Sequence, residues 1–175
     1  MTGLNIAVMA MVGISALGFF IADGERQRVG WVQAMRKCLW RMCDLIRYEQ
    51  PALGELLLRV DLRATPQERE LTRLLHACAQ RLAHCVSPQL RLLFEGESAR
   101  VPGYGVLGEE DRAAFEAVLG ELGCRNLSEQ LRLIDEADER LRQREEVLRR
   151  ETARRAQLIR ALSLTGGAAA FLILL

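Results

Sequence analysis

The chain has 175 residues, half of them hydrophobic, and a formal net charge of +1. That balance carries no electrostatic footprint for nucleic acid, and aromatic residues, at 5%, are too few for base stacking or carbohydrate platforms. All 47 charged side chains (24 basic, 23 acidic) fall between Asp23 and Arg160, a layout expected of a small cytoplasmic domain whose two apolar ends both enter one membrane.

Residues 1–22 are expected to be an N-terminal transmembrane helix, because about 20 apolar residues of helix cover the roughly 30 Å of a bilayer core. Gly13, Ser15, Ala16 and Gly18 are small enough for close helix contact in lipid, although no GxxxG spacing is present. A cleaved signal peptide would need a basic n-region, and no Lys or Arg precedes Arg26. The positive-inside rule instead keeps Arg26, Arg28, Arg36, Lys37 and Arg41 in the cytoplasm and sends the N-terminus out.

Residues 23–157 read as one cytoplasmic helical-bundle domain. After Glu25 the apolar positions Val32, Met35, Leu39, Met42 and Ile46 step by three or four, the helical period. Pro51 ends that helix, since the residue before a proline avoids the helical region, and a short helix follows over 52–60. Thr65, Pro66 and Glu68 form a helix start, with Thr65 as N-cap, Pro66 at N1 and Glu68 closing a capping box. Leu71, Leu74, Leu75, Cys78, Leu82 and Cys85 then lie on one face. Ser87-Pro88 repeats the start signal ahead of Leu90, Leu92, Leu93 and Phe94. Residues 96–108, with four glycines, are expected to be a loop. A helix over 109–122 has Glu109, Glu110 and Asp111 in its first turn, where the dipole favours acid. Phe115, Val118, Leu119 and Leu122 form its inner face, and Gly123 its C′ residue.

Asn126 is the expected cap of the last soluble helix, with Glu129 at N3. Its apolar stripe, Leu127, Leu131, Ile134, Leu141 and Leu148, is interrupted by Asp138 and Glu145. Nine of the 16 residues from 142 to 157 are charged, which suggests a solvated stalk or a partner face. Residues 158–175 are expected to be a C-terminal transmembrane helix, with Arg160 snorkelling to the headgroups and Arg149, Arg150, Arg154 and Arg155 marking the cytoplasmic side. Both termini would then lie outside. The fold class is all-α: an antiparallel bundle of about six helices between two membrane helices.

The residues suggest no catalytic, cofactor or metal chemistry. The five cysteines, Cys38, Cys43, Cys78, Cys85 and Cys124, are an odd number and fit no disulfide framework. Cys78 and Cys85 pack more naturally than they react. His76, Cys78, His84 and Cys85 lack the i, i+3 or i, i+4 spacing of a helical metal site. No phosphate-binding loop, GxSxG or HExxH motif occurs. The candidate residues are therefore partner contacts: Arg100 and Tyr104 in the loop, and Arg142, Arg144, Arg149 and Arg150 on the last helix. Self-association through that Arg/Glu-rich helix, in a structural or sensory protein, is the alternative to partner docking.

Several strings resemble the stage III sporulation protein AB family of endospore-forming bacteria. Gly18-Phe19 stands near the end of the first apolar segment. Ile46, Arg47, Tyr48 and Leu53 match an Ile-x-Tyr string followed by Pro-Leu, with Pro51 one position early. Leu122, Gly123 and Gln130 match a helix-start string, with Asn126 in place of Asp, and Leu164-Thr165-Gly166 precedes the apolar tail. The resemblance implies a membrane platform in the channel-like complex between mother cell and forespore, seated in the outer forespore membrane with its domain in the mother-cell cytoplasm. It also implies a domain similar to the type II secretion and type IV pilus platform protein. The implied partners are a secretion-type ATPase, stage III sporulation protein AA, the other membrane components of the complex, membrane lipid and further copies of the chain.

Overall fold

The computed structural model describes the backbone of residues 2–84, 89–101, 103–123 and 126–174, and the side chains of those between 24 and 154. The described residues form six α-helices and no strand: α1 (Thr2–Tyr48), α2 (Leu53–Arg59), α3 (Pro66–Leu82), α4 (Leu90–Ser98), α5 (Glu109–Glu121) and α6 (Leu127–Leu174). The chain divides into two compact units, residues 27–146 and residues 1–26 with 147–175. The backbone of α1 stays helical through Gly24 and Gly30, and that of α6 through Gly166 and Gly167. Among the described residues no helix is long and apolar enough to cross a membrane. The expected membrane spans, 1–22 and 158–175, lie outside the residues whose side chains are described, and Ser87-Pro88, Cys85 and Cys124 lie outside the described residues altogether.

The unit of residues 1–26 and 147–175 is a pair of helix ends. In it Leu148 is buried. The Thr152 hydroxyl donates to the Leu148 carbonyl at 2.8 Å and lies 3.4 Å from a Glu25 carboxylate oxygen.

In the unit of residues 27–146, α1 supplies a large share of the buried side chains. Val32, Met35, Cys38, Leu39 and Met42 are fully buried and Ile46 nearly so, as their three-and-four spacing requires. It ends at Tyr48, where Gln50 takes a left-handed φ of +46° and its N–H returns to the Leu45 carbonyl at 3.1 Å. Pro51 next in the chain explains why Gln50 leaves the right-handed helical region.

The local helix signals behave as their chemistry dictates. The Thr65 hydroxyl accepts from the Glu68 N–H at 3.2 Å, and Glu68 reaches back to accept from the Ala64 N–H at 2.8 Å. Asn126 accepts from the Glu129 N–H at 2.9 Å. Gly123 adopts φ +81° just beyond α5, the left-handed turn that closes a helix with least strain when the residue lacks a Cβ.

Two expectations are corrected. The loop expected over 96–108 is shorter, because α4 takes in Gly96 and runs to Ser98, which is buried and donates to the Glu95 carbonyl at 3.1 Å. The remainder holds a 3-10 turn at Tyr104–Val106. Likewise Asp138 and Glu145 do not break the packing stripe of α6. Glu145 is buried in line with Ile134, Ala137 and Leu141, a seam spaced three and four apart.

Candidate functional site

The residues that the sequence marks as surface contacts fall into two groups, those consumed inside the fold and those left outside. Tyr104 belongs to the first. Its ring is 1% exposed and is gripped edge-on by Trp31 and Phe94, with centroids 5.5 and 5.7 Å away. Phe94 in turn packs on Phe115 at 5.6 Å. The Tyr104 hydroxyl donates to Glu116 at 3.3 Å. Burial first, then the Glu116 charge, push its ionisation well above the ordinary phenol range. Tyr104 is thus the core residue that ties the loop down, not an exposed contact.

Arg144 is also occupied. Its Nε donates to Asp111 Oδ1 at 2.9 Å, while Arg28 donates to Asp111 Oδ2 through Nε at 3.1 Å and Nη2 at 2.7 Å. The Asp111 side chain is 1% exposed. It joins α1, α5 and α6 through one carboxylate, beyond the dipole role that its place in the first turn suggests. Gly108 makes room for this: a Cβ there would run into the Arg28 guanidinium.

A second network lies between α1 and α6, which run antiparallel. Arg36 forks over two turns of α6, with Nε to Asp138 at 2.8 Å and Nη1 to Glu145 at 2.8 Å, and Gln33 donates to Glu145 at 2.8 Å. All three charged side chains are mostly buried. Lys37 meets the buried Glu68 at 2.5 Å. For Glu68, burial raises the pKa, but Lys37 and the Ala64 and Thr65 N–H groups outweigh it and hold the carboxyl below its ordinary value.

The other sequence candidates are surface residues. Arg142 is exposed and held by Glu139 at 2.8 Å and Glu146 at 2.9 Å. Its guanidinium, then the Gln143 amide, lower the Glu139 carboxyl to about 2. Arg100 is exposed and lies 3.3 Å from Glu97. Arg149 and Arg150 are exposed on α6. The fold gathers none of these into a catalytic arrangement, and among the described residues no three His, Cys, Asp or Glu side chains converge as metal ligands. Burial pushes the Cys38 thiol up, and the Cys78 thiol to about 11, so both pack rather than react.

Sequence reasoning did not join the strings around residues 46–53 and 122–130, and the fold does. Ile46, Pro51, Leu53, Gly123 and Gln130, with Gln50, Leu56 and Leu127, line one open groove of about 220 Å³. The strained turn at Gln50 and the left-handed Gly123 form its walls. Leu127 is 40% exposed there, and Tyr48, just before the turn, is 79% exposed. Two left-handed positions and unburied apolar side chains in one place are features of a contact surface. The only sequence signal was the pair of strings themselves, since their meeting depends on the path of α2 to α5.

A family model described as stage III sporulation protein AB matches residues 4–175. No curated protein and no solved structure matches the chain.

Proposed function

The chain belongs to the stage III sporulation protein AB family, with a role in stage III sporulation, and on that premise we propose that it is a non-catalytic membrane platform. Residues 1–22 and 158–175 insert in the mother-cell membrane around the forespore, both termini lie outside, and the helical bundle stands in the mother-cell cytoplasm. There it docks a secretion-type ATPase like stage III sporulation protein AA and passes its position or movement to the membrane parts of a channel-like complex.

The observation that carries this reading is the groove. Strings about 75 residues apart in sequence, both of which carry the family resemblance, line one surface. Tyr48 beside it stays exposed although it adds nothing to the core. A half-sunk apolar patch with a polar surround is the usual build of a protein contact.

The test is binding of the full-length chain, in lipid nanodiscs, to the purified stage III sporulation protein AA ATPase with no nucleotide, ADP or a non-hydrolysable ATP analogue. Binding is expected in at least one state, and Tyr48→Ala with Leu127→Asp weakens it at least tenfold while the helical melting curve stays in place. Absence of binding in every state would sink the proposal.

A further inference from the structure

We propose that the outward stripe of α1 centred on Trp40 docks an acidic helical segment of a partner protein. The inference concerns a stripe that shares only Tyr48 with the contact proposed above, and it names only the chemistry of its partner.

Of the two tryptophans, Trp31 is core and Trp40 is 54% exposed. Leu39 and Met42 beside Trp40 are fully buried, so α1 is core on one side and open on the other. Lys37, Trp40, Arg41, Asp44, Arg47 and Tyr48 are the exposed residues of that open side. Their steps of three and four draw one stripe along the helix.

The indole is held in place before any partner arrives. The Arg36 guanidinium lies 5.2 Å from its ring centroid, and Arg36 is itself fixed by Asp138 and Glu145. A side chain already held loses little rotamer freedom on binding. Trp, Tyr and Arg, the types that dominate binding energy at interfaces, make up most of this stripe.

Charge selects the partner. Arg41, Asp44 and Arg47 form no ion pair among the described residues. The stripe therefore offers cations one turn to either side of a single carboxylate, with Trp40 beside the first. A helix with acids opposite Arg41 and Arg47, and an apolar side chain over Trp40, matches that order. A phosphate surface would meet Asp44 as a repulsive charge in its midst, which favours protein over lipid.

The experiment places p-benzoylphenylalanine in place of Trp40 in the full-length chain, in sporulating cells that depend on it, and sequences the cross-linked segment. The expected product is a protein segment with more acids than bases. Its yield falls at least tenfold with Arg41→Glu and Arg47→Glu together. A reciprocal acid-to-arginine change in the captured segment restores it. Arg41→Gln alone, a neutral exposed change, reduces the yield without moving the melting curve and so separates lost contact from lost folding. Cross-links to lipid only, to another copy of the chain only, or to a segment with no acidic excess would overturn the inference, as would no cross-link or failure of the charge swap to rescue.

Discussion

Asp111 is the most deeply buried charged residue among those described. Its carboxylate is shared by Arg28 and Arg144 at 2.7 and 2.9 Å, and it has almost no access to water. Removing one member of a buried ion cluster leaves its partners uncompensated. Asp111→Ala is therefore expected to cost about 3 kcal/mol, the low end of that range because both arginines keep some solvent. Arg142→Ala, whose pairs are exposed, is expected to leave the stability nearly unchanged. Urea midpoints of the full-length protein and the two variants, in one detergent, check the contrast.

Glu116 gives a pH signature of the opposite kind to an ordinary salt bridge. Burial, then the neighbouring Glu95 charge, hold its carboxyl above the usual value of 4.5. The folded state then keeps the proton more tightly than the unfolded chain. This contribution to stability is complete below about pH 4.5 and is lost as pH rises through the folded value. Glu116→Gln, which still accepts from Tyr104, is expected to raise the melting temperature at pH 7 and to lose most of that gain at pH 4. Equal shifts at both pH values would contradict the assignment.

At the scale of the element, three helix ends have a local cause. Thr65 and Asn126 satisfy N-terminal N–H groups, and Gly123 turns the chain after α5. A Cβ on Gly123 would meet Leu53 only at an ordinary 3.6 Å, so space is not what excludes a side chain there. The backbone is. Gly123→Ala is expected to cost about 1 kcal/mol through its left-handed φ, seen as a fall of roughly 2–4 °C in melting temperature. Between elements, the Arg36 fork to Asp138 and Glu145 fixes the register of α1 against α6, because a shift of one turn would leave buried charges unpaired.

At the scale of the whole molecule, the division of charge governs the proposed arrangement. Its ends, 1–22 with no charge and 158–175 with Arg160 alone, are the proposed membrane segments, and the positive-inside rule orients both the same way. Reporter fusions at the two termini are expected to report the outside at both, with a reporter inserted between Gly96 and Gly108 reporting the cytoplasm. A cytoplasmic C-terminus would reduce residues 158–175 to a packing segment.

What the sequence determined by itself depends on near neighbours along the chain. The helical class, the capping of α3 and α6, the turn at Gly123 and the core face of α1 follow from spacings of three to five residues. Such interactions are set by the pitch of one helix. The tertiary structure alone decided the fate of the polar residues. Tyr104 became core, Asp111 a bridge and Asp138 and Glu145 the partners of Arg36. The strings 46–53 and 122–130 became one groove. Each of those outcomes joins groups 12 to 109 residues apart, and a charged side chain looks the same in sequence whether it faces water or a partner across the bundle. Burial decides between them, and burial is a property of the packed helices together.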